Sequence, residues 1–448
     1  MTTRDYDTAS SESIRQYAEK LIGKSLEETV GIRNLDQLPN KGRLGGLVEE
    51  YFFKYKPTGA AEHLPDFAEA GVELKVTGVI PRKNYQNSEA PFKAKERLVL
   101  SMIHYVSLAN ETWEQSTLMK KCGLMLLLFY LYQKELPAPE RKFVHKPVLW
   151  EFPDEDLVII KRDWLTIQQK IFDGKAHELS EGDTFYLGAC RKGSGGPKEA
   201  LKVQPFSGTL AKARAFSLKP SYVDTILNKT WSEASLIRDE HQAEEGIEAI
   251  TTHKFSGLEG KSIAELANLY ACPIGEKLSK SYFSQLSLRI LGTKKKHLPE
   301  FVKASVTMKT IRLNHSGTPS EAMSFPNFNF IELPEQKWED SAFYEQINQK
   351  FFFVIYQYDE ADTLRFKKVM FWNMPYADRL EAQQVWEKTV DAIKACRPDQ
   401  FPKSSQSHVA HVRPHGANKA DTLPLPCGKE FTRQCFWLNR LYIADQVK

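Results

Sequence analysis

The stretch Leu64-Pro65-Asp66-Phe67-Ala68-Glu69-Ala70-Gly71-Val72-Glu73-Leu74-Lys75 decides how the rest of the chain is interpreted. Apolar and charged residues alternate over residues 72–76, which is typical of a strand because its side chains point to opposite faces in turn. Leu74 is then expected in a core, while Glu73 and Lys75 share the other face. A hairpin through Ala70-Gly71 would bring the carboxylate of Asp66 back beside Glu73.

Two carboxylates and an ammonium group on one face suit metal-assisted cleavage of a phosphodiester bond. Hard oxygen ligands hold Mg²⁺, which usually keeps several waters, and the metal can activate a water and neutralise charge on the phosphate. Asp66 and Glu73 are therefore candidate metal ligands, and Lys75 is a candidate catalytic lysine. The motif is short and degenerate. An ordinary half-exposed strand with a Glu–Lys pair on its wet face is the alternative.

Length and composition indicate a soluble globular protein of two or three domains. Of 448 residues, 42% are apolar and 26% charged, and the net charge of +4 permits a nucleic-acid partner without requiring one. Six scattered cysteines form no Cys-x-x-Cys pair, which favours free thiols in a reducing cytoplasm. The polar N-terminus is not a signal peptide, and the apolar run 122–132 is too short to span a bilayer. We expect a cytoplasmic protein without a membrane segment.

Three other stretches bear on the site. Residues 44–53 are predicted to form an amphipathic helix that carries Glu49 and Glu50, and one of these acids is expected only to face solvent. The run 122–132 is predicted to be a buried central strand or a short buried helix. The basic, glycine-rich segment 191–196 lacks the Gly-Lys-Ser/Thr of a Walker loop, so a phosphate-contacting loop and a plain turn both remain open.

The composition changes at residues 228–257, where acids predominate and large apolar residues are few. We place the domain boundary here. The predicted organisation is a first domain at 1–230, a linker at 231–257 and a second domain at 258–448.

The second half repeats the first. Gly23-Lys24-Ser25-Leu26 recurs as Gly260-Lys261-Ser262-Ile263, and Leu64-Pro65-Asp66-Phe67 recurs as Leu298-Pro299-Glu300-Phe301. Matching pairs continue to Tyr222 and Tyr442, in the same order, while the offset falls from 237 to 220. A few loop deletions would produce this pattern, so we expect two copies of one fold.

The second copy is expected to bind without cutting. Glu73 becomes Thr307 and Asp66 becomes Glu300, whereas Lys75 is kept as Lys309. No acid occurs between residues 277 and 296, where the Glu49 helix should recur. One carboxylate is too few for a good hard-cation site. The lysines at 294–296 add positive charge, either as a solvated loop or as a phosphate contact.

These residues resemble the MutH family, the GATC endonucleases of mismatch repair. The resemblance rests on Gly45-x-Leu47-x-Glu49, on Asp66-Phe67 and Gly71-Val72-Glu73-Leu74-Lys75, on Thr112-Trp113-Glu114 with Lys121, and on Phe216-x-Leu218-Lys219. The layout with a degenerate second copy is similar to two-domain type IIE restriction endonucleases that cut before the G of GATC. Stretches such as Glu96-Arg97-Leu98-Val99-Leu100 and His411-Val412-Arg413-Pro414-His415 resemble that subgroup closely.

The resemblance implies an α/β fold with mixed sheets, in two tandem restriction-endonuclease-like domains, the second catalytically degenerate. It implies a type II enzyme that makes Mg²⁺-dependent double-strand cuts in DNA at GATC, with the second copy binding another site as an allosteric effector. A transient homodimer on the palindrome and a cognate DNA methyltransferase are the partners it suggests.

The family's functional residues carry over by position. Asp66 and Glu73 would be metal ligands, Lys75 the catalytic lysine, Glu49 a residue of the metal or water shell, and Lys121 a second lysine. Arg191, Lys192 and Lys219 fall where the family places DNA-reading loops, and Arg413 and His415 are expected on the second copy's DNA-facing loop. The family's tyrosine beside the Lys219 position is Ser217 here, which puts methylation sensing in doubt.

Two alternatives remain. The chain could be a MutH-like repair nickase or a non-catalytic DNA-binding protein, although the intact Asp66, Glu73 and Lys75 argue against a purely binding role. A zinc site from His408, His411, His415, Cys427 and Cys435 is the other alternative, although the spacings fit no standard finger.

Overall fold

The computed structural model describes residues 4–37, 44–55, 63–82, 91–193, 201–228, 236–237, 240–275, 279, 281–295 and 297–448. Part of the glycine-rich segment (194–196), part of the expected linker and Lys296 lie outside the described residues. None of the described helices is long and apolar enough to cross a membrane.

The first half contains seven α-helices and nine strands in its described part. The helices are α1 (Ser11–Ala18), α2 (Leu26–Val30), α3 (Leu44–Leu47) with a π-helical continuation (Val48–Phe52), α4 (Tyr105–Leu108), α5 (Thr117–Cys122), α6 (Asp154–Phe172) and α7 (Pro220–Asn228). The strands are β1 (Val72–Pro81), β2 (Phe92–Ala94), β3 (Leu98–Ile103), β4 (Leu124–Leu131), β5 (Val148–Glu151), β6 (Leu187–Arg191), β7 (Leu201–Lys202), β8 (Ala211–Lys212) and β9 (Arg214–Leu218).

The described part of the second half contains eight α-helices and eight strands. The helices are α8 (Glu240–Glu245), α9 (Ile247–His253), α10 (Ile263–Leu269), α11 (Tyr282–Ile290), α12 (Pro299–Lys303), α13 (Ala342–Ile347), α14 (Tyr376–Lys394) and α15 (Arg440–Gln446). The strands are β10 (Thr307–Leu313), β11 (Met323–Asn327), β12 (Phe351–Tyr358), β13 (Leu364–Trp372), β14 (Ala410–Pro414), β15 (Thr422–Pro424), β16 (Glu430–Thr432) and β17 (Gln434–Leu438).

The two halves share the same sheet topology, except that β2 has no counterpart among the described strands of the second half. One sheet has the order β2-β1-β4-β5 in the first half and β10-β12-β13 in the second. Its first long pair is parallel (β1 with β4, β10 with β12), and the next is antiparallel. A three-stranded antiparallel sheet has the order β3-β9-β6 in one half and β11-β17-β14 in the other. The predicted fold class, mixed α/β with two tandem copies, is confirmed.

The run 122–132 supplies the central strand β4, because apolar side chains fill both of its faces. Leu126 and Leu128 pack with Leu74 into a core beneath α1 and α3, while Met125 and Phe129 belong to a second core on the other side. In the sequence, β4 is therefore marked by a continuous apolar run and not by an alternation of apolar and polar residues.

Local contacts repeat between the halves as well. Ser25 and Ser262 each close a capping box at the start of α2 and α10. Tyr222 donates its hydroxyl hydrogen to Asp156 over 2.8 Å, and Tyr442 does the same to Asp378. The sequence repeat is therefore a structural repeat at the level of single hydrogen bonds.

The two halves share a core and a buried polar interface. The largest hydrophobic cluster runs from β4, α6 and α7 of the first half to Phe352 and Phe366 of the second. At its edge, Lys303 of α12 donates to both oxygens of Asp156 over 2.8 Å, with both side chains buried. Such a pair is tolerated in the interior because each charge is matched.

The segment expected to be a linker is part of this packing where it is described. It forms α8 and α9, which place Ala243, Ile247 and Ile250 in the shared core. Helix α8 packs against α6. The acidic composition favoured an extended linker, but one alanine and two isoleucines are enough to pack two short helices into the core.

The expectation that all cysteines are free thiols is wrong. Cys396 and Cys427 form a disulfide that closes a separation of 31 residues, whereas Cys122, Cys190, Cys272 and Cys435 are free and buried. Without a Cys-x-x-Cys signal, proximity in the fold cannot be read from spacing.

Candidate active site

A tight turn brings Asp66 next to Glu73, as the sequence predicts. Phe67 and Val72 form an antiparallel bridge, and Gly71 between them has a φ of +67°, which glycine adopts without a steric penalty. Asp66 Oδ2 accepts from the amide of Leu74 over 2.9 Å, and the amide of Asp66 donates to Glu73 Oε2 over 3.2 Å. The two carboxyl groups are therefore held together by backbone hydrogen bonds.

Two lysines surround Glu73, whose side chain is buried. Lys75 Nζ donates to Glu73 Oε1 over 2.8 Å and to the carbonyl oxygen of Leu100 over 2.8 Å. Lys121 Nζ, from the end of α5, lies 3.7 Å from the same carboxylate oxygen. Both lysines therefore balance the charge of a carboxylate that burial alone would disfavour.

A β-bulge supplies the carbonyl oxygen that holds Lys75. In the pairing of β3 with β9 the register shifts between Val99 and Ser101, so Leu100 has no partner in the ladder. Its carbonyl oxygen accepts instead from Lys75 and, over 3.6 Å, from the thiol of Cys122. Bulges commonly re-aim groups beside active sites, and no feature of the sequence signals this one.

Glu49 lies in the π-helical turn that continues α3, a distortion often found at functional sites. Burial raises the pKa of Glu49 to about 7, and the carboxylates of Asp66 and Glu73 add to the effect. The pKa of Glu73 is also raised, chiefly by burial. Three acids thus share one negative region, and Glu49 changes protonation near neutral pH.

Asp66 and Glu73 are the side chains that could hold a hard divalent cation. No group of three or more His, Cys, Asp or Glu side chains in the described part of the chain is placed to hold a metal ion. Mg²⁺ is commonly bound through only one or two carboxylates plus waters and substrate phosphates. No described residue donates to Asp66 Oδ1, so this pair fits such a cation.

The corresponding place in the second half is altered further than the sequence comparison indicated. Glu300 is buried, and its Oε1 accepts from the amide of Ile237 over 3.1 Å. Ser116 and Ser341 cap the starts of α5 and α13 in the same way. Counted from these serines, Gln346 stands at the position of Lys121. Thr307 stands where Glu73 would be. The second half therefore lacks counterparts of Glu73 and Lys121, and its remaining acid, Glu300, is buried.

The five residues predicted to contact DNA lie in different environments. Arg191 lies 3.3 Å from Glu339 of the second half, and Lys192 is half-buried beside it. Arg413 and His415 are exposed on and just after β14. Lys219 is buried and donates to the carbonyls of Thr184 and Ala304 over 3.0 Å and 2.8 Å. Lys219 therefore does not reach DNA in this conformation, because α12 covers it.

The zinc alternative is not supported by these contacts. Cys427 is bonded to Cys396, and the ring of His411 is hydrogen-bonded through Nδ1 to Asn439. His415 contacts Asn327 over 3.2 Å.

Sequence reasoning missed Glu339, which contacts both Arg191 and Lys212 across the junction between the halves. A cavity of about 240 Å³ lies there, lined by residues of both halves that include Arg214 and Arg379. Only the repeat of Trp113-Glu114 as Trp338-Glu339 could have drawn attention to this acid.

Comparison with known proteins supports the resemblance. Residues 53–163 and 291–384 match the family described as DNA mismatch repair enzyme MutH, one segment in each half. The chain is 34% identical to the type II restriction enzyme Sau3AI of Staphylococcus aureus, over 98% of both chains. It is 24% identical to the DNA mismatch repair protein MutH of Shewanella woodyi over 43% of this chain and 78% of that protein. It is 25% identical to the DNA mismatch repair protein MutH of Shewanella oneidensis, over 48% of this chain and 92% of that protein. The chain belongs to the family of the type II restriction enzyme Sau3AI, and each of its own halves contains a segment that matches MutH.

Proposed function

We propose that the protein is a restriction endonuclease that makes Mg²⁺-dependent double-strand cuts at GATC sites. The observation that carries the proposal is the grouping of Asp66, Glu73 and Lys75 in one half and the loss of the second carboxylate, at Thr307, in the other. Full-length similarity to a type II restriction enzyme supports the same conclusion. We assign cutting to residues 1–230 and effector binding to residues 258–448, with 231–257 between them. A methyltransferase that protects the host's own sites would be the partner enzyme.

The residues of the first half suit hydrolysis of a phosphodiester bond. Asp66 and Glu73 would hold Mg²⁺, which when bound lowers the pKa of a coordinated water and neutralises charge on the phosphate. Lys75 uses two of its three N–H donors on Glu73 and Leu100, so the third can donate to a phosphate oxygen or the attacking water. The pKa of about 7 belongs to Glu49 in the metal-free protein. A cation held by Asp66 and Glu73 would lower it, so Glu49 would be ionised at neutral pH and could accept a proton from water.

The second half is suited to act as an effector. It covers the cationic face of the first half, where Glu339 contacts Arg191 and Lys212 and the carbonyl of Ala304 accepts from Lys219. Its own cationic face along β14 is open. DNA bound there would promote cutting only if it bound better to a conformation in which the covered face is released.

Each chain provides one cutting centre, so a double-strand break requires two chains on the palindrome or two successive nicks. A repair nickase would stop after one strand. The product therefore separates this alternative from the main proposal.

Digestion of a mapped plasmid with and without Mg²⁺, followed by sequencing of the ends, tests the proposed function. We expect linear fragments whose ends all lie at GATC, only with the metal, and no cutting by the Glu73→Ala variant despite retained DNA binding. Ends at other sequences would refute the GATC assignment. Accumulation of nicked circles alone would favour the nickase.

A further inference from the structure

The second half has an open, positively charged groove. A cavity of about 430 Å³ is lined by Arg413, His408, His411 and Arg440 together with several serines. It shares Ser320 and Glu321 with a neighbouring cavity of about 200 Å³ that is lined by Lys309 and Arg312. Four basic side chains and two imidazoles line the two cavities, against one acid, and this lining suits a polyanionic ligand.

Arg413 is held in this groove by an aromatic ring. The register of β14 with β17 pairs His411 with Trp437, so Arg413 is a diagonal neighbour of Trp437 on the same face. The Cζ atom of Arg413 lies 3.7 Å from the centroid of the Trp437 ring, although Arg413 remains exposed. A guanidinium that rests on an aromatic face keeps its N–H edge free for a second, planar partner.

The strand beneath Arg413 is fixed by a buried polar contact. Asn439 Nδ2 donates to the carbonyls of Ser407 and His408 over 2.7 Å and 2.9 Å. Its Oδ1 is left to accept from Nδ1 of His411. Burial and the neighbouring Arg413 lower the pKa of His411, so this ring is neutral at pH 7. Arg413 is therefore the charged group on a rigid, otherwise neutral strand face.

The first half has no equivalent of this pair. The matching registers of β6 with β9 and of β14 with β17 place Cys190 at the position of Arg413 and Ser217 at that of Trp437. Cys190 and Ser217 are both buried. The arginine and its platform therefore belong to the second half alone, and the two halves must contact DNA through different residues.

We propose that Arg413, positioned by Trp437, reads a guanine in the DNA that the second half binds. This inference rests on the proposed function and names the specificity residue of its effector site. The planar guanidinium can donate two hydrogen bonds to O6 and N7 of guanine in the major groove, a contact that no other base offers. Arg440 and Lys309, farther along the groove, contact phosphates and contribute affinity without selectivity.

Binding of duplexes by the full-length Glu73→Ala protein, which is expected to bind without cutting, tests the inference by fluorescence anisotropy. The probes are a GATC duplex, a scrambled duplex, and a GATC duplex in which 7-deazaguanine removes N7. Arg413→Ala and Arg413→Lys should weaken GATC binding about 5-fold to 100-fold, the range for a lost bidentate base contact. Trp437→Ala should lose part of that selectivity. The 7-deaza substitution should cost less affinity in the Arg413→Ala protein than in its parent, because the hydrogen bond between Arg413 and guanine N7 is already absent.

Arg440→Ala is the matched control, because it should weaken GATC and scrambled duplexes alike and reduce the salt dependence. If the 7-deaza penalty is the same with and without Arg413, the inference is wrong although the proposed function stands. If the parent protein binds GATC and scrambled duplexes equally, the proposed function fails and the inference fails with it. Circular dichroism of each variant shows whether the fold is kept, and Arg413→Lys supplies the answer if Arg413→Ala does not fold.

Discussion

At the scale of single residues, Lys75 is held in place by two hydrogen bonds. It is tied to Glu73 on one side and to the bulged carbonyl of Leu100 on the other. Replacing it with methionine keeps most of the volume but removes the donor that would face the phosphate. We expect Lys75→Met to slow single-turnover cleavage by about 10² to 10³-fold, as for other preorganised donors, with DNA affinity retained.

The neighbouring lysines of α5 provide the comparison. Lys121 lies 3.7 Å from Glu73 Oε1, whereas Lys120 is exposed. Lys121→Met should have an intermediate effect on the cleavage rate and Lys120→Met almost none. An equal loss from the two substitutions would mean that the positive charge of α5, rather than a positioned ammonium group, matters.

Glu49 should make the stability of the metal-free protein depend on pH. Its pKa rises from 4.5 to about 7 on folding, so the folded state holds the proton more tightly. The stability from the protonated carboxyl is full below about 4.5 and is lost as the pH rises to about 7. Glu49→Gln should therefore be more stable than the natural protein above pH 7, by on the order of 3 kcal/mol at about 1.4 kcal/mol per pKa unit, and similar to it near pH 4.5.

Urea unfolding in the presence of EDTA, at a series of pH values from 5 to 8, measures this difference. Addition of Mg²⁺ at pH 8 should narrow the gap, because a bound cation offsets the repulsion between the acids. A gap that does not change with pH would mean that folding does not raise the pKa of Glu49.

The spacing of Asp66, Glu73 and Lys75 could be read from the sequence because it is local. One turn and one strand set it, and both follow from Gly71 and the alternation after it. The burial of Lys219 could not be read, because it depends on how α12 of the other half packs. The same holds for Glu339, whose partners are more than a hundred residues away along the chain.

At the scale of elements, the turn before β1 carries the geometry of the carboxylate pair. Gly71 has a φ of +67°, and a Cβ built on it meets nothing within 4 Å. Gly71→Ala therefore tests backbone conformation alone. We expect a loss of about 1 to 2 kcal/mol in the free energy of unfolding and a slower cleavage rate, because relaxation of the turn moves Asp66 relative to Glu73.

Gly208 is the matched control, since a Cβ there also meets nothing within 4 Å and its φ is not in the left-handed region. Gly208→Ala should leave both stability and cleavage unchanged. If Gly71→Ala lowers stability but not the cleavage rate, the turn does not set the distance between the two acids.

The sequence predicted the helices and strands that follow from the pattern of apolar residues. It missed the features that depend on how distant segments pair in the fold. Helix α3 with its π-helical continuation and strands β1 and β4 lie where apolar patterns indicated. The bulge at Leu100 arises from the register of β3 against β9, and the disulfide arises from the approach of the end of α14 to the hairpin of β15 and β16. Neither has a local signal.

At the scale of the whole molecule, the internal repeat was recognisable from motif order, but the relation between the copies was not. The repeat predicts two similar folds. It does not predict that α12, which carries Glu300, packs on α7 of the first half, because the matching residue Phe67 lies in a separate cluster with α1 and α3. The shared core and the buried pair of Lys303 with Asp156 follow from that asymmetric packing.

The contact of Glu339 with Arg191 and Lys212 leads to a prediction about activation. If this contact holds the cationic face of the first half closed, a plasmid with one GATC site should be cut more slowly than one with two, at equal site concentration. Glu339→Ala removes the acid from the contact and should raise the one-site rate toward the two-site rate.

Glu335→Ala is the matched control, because Glu335 is exposed on the preceding 3-10 turn and the charge change is the same. Equal one-site and two-site rates in the natural protein would rule out an effector role for the second half. If the Glu339→Ala protein keeps the natural ratio of one-site to two-site cleavage rates, the cationic face of the first half is held closed by the buried contacts of Lys219 and Lys303 instead.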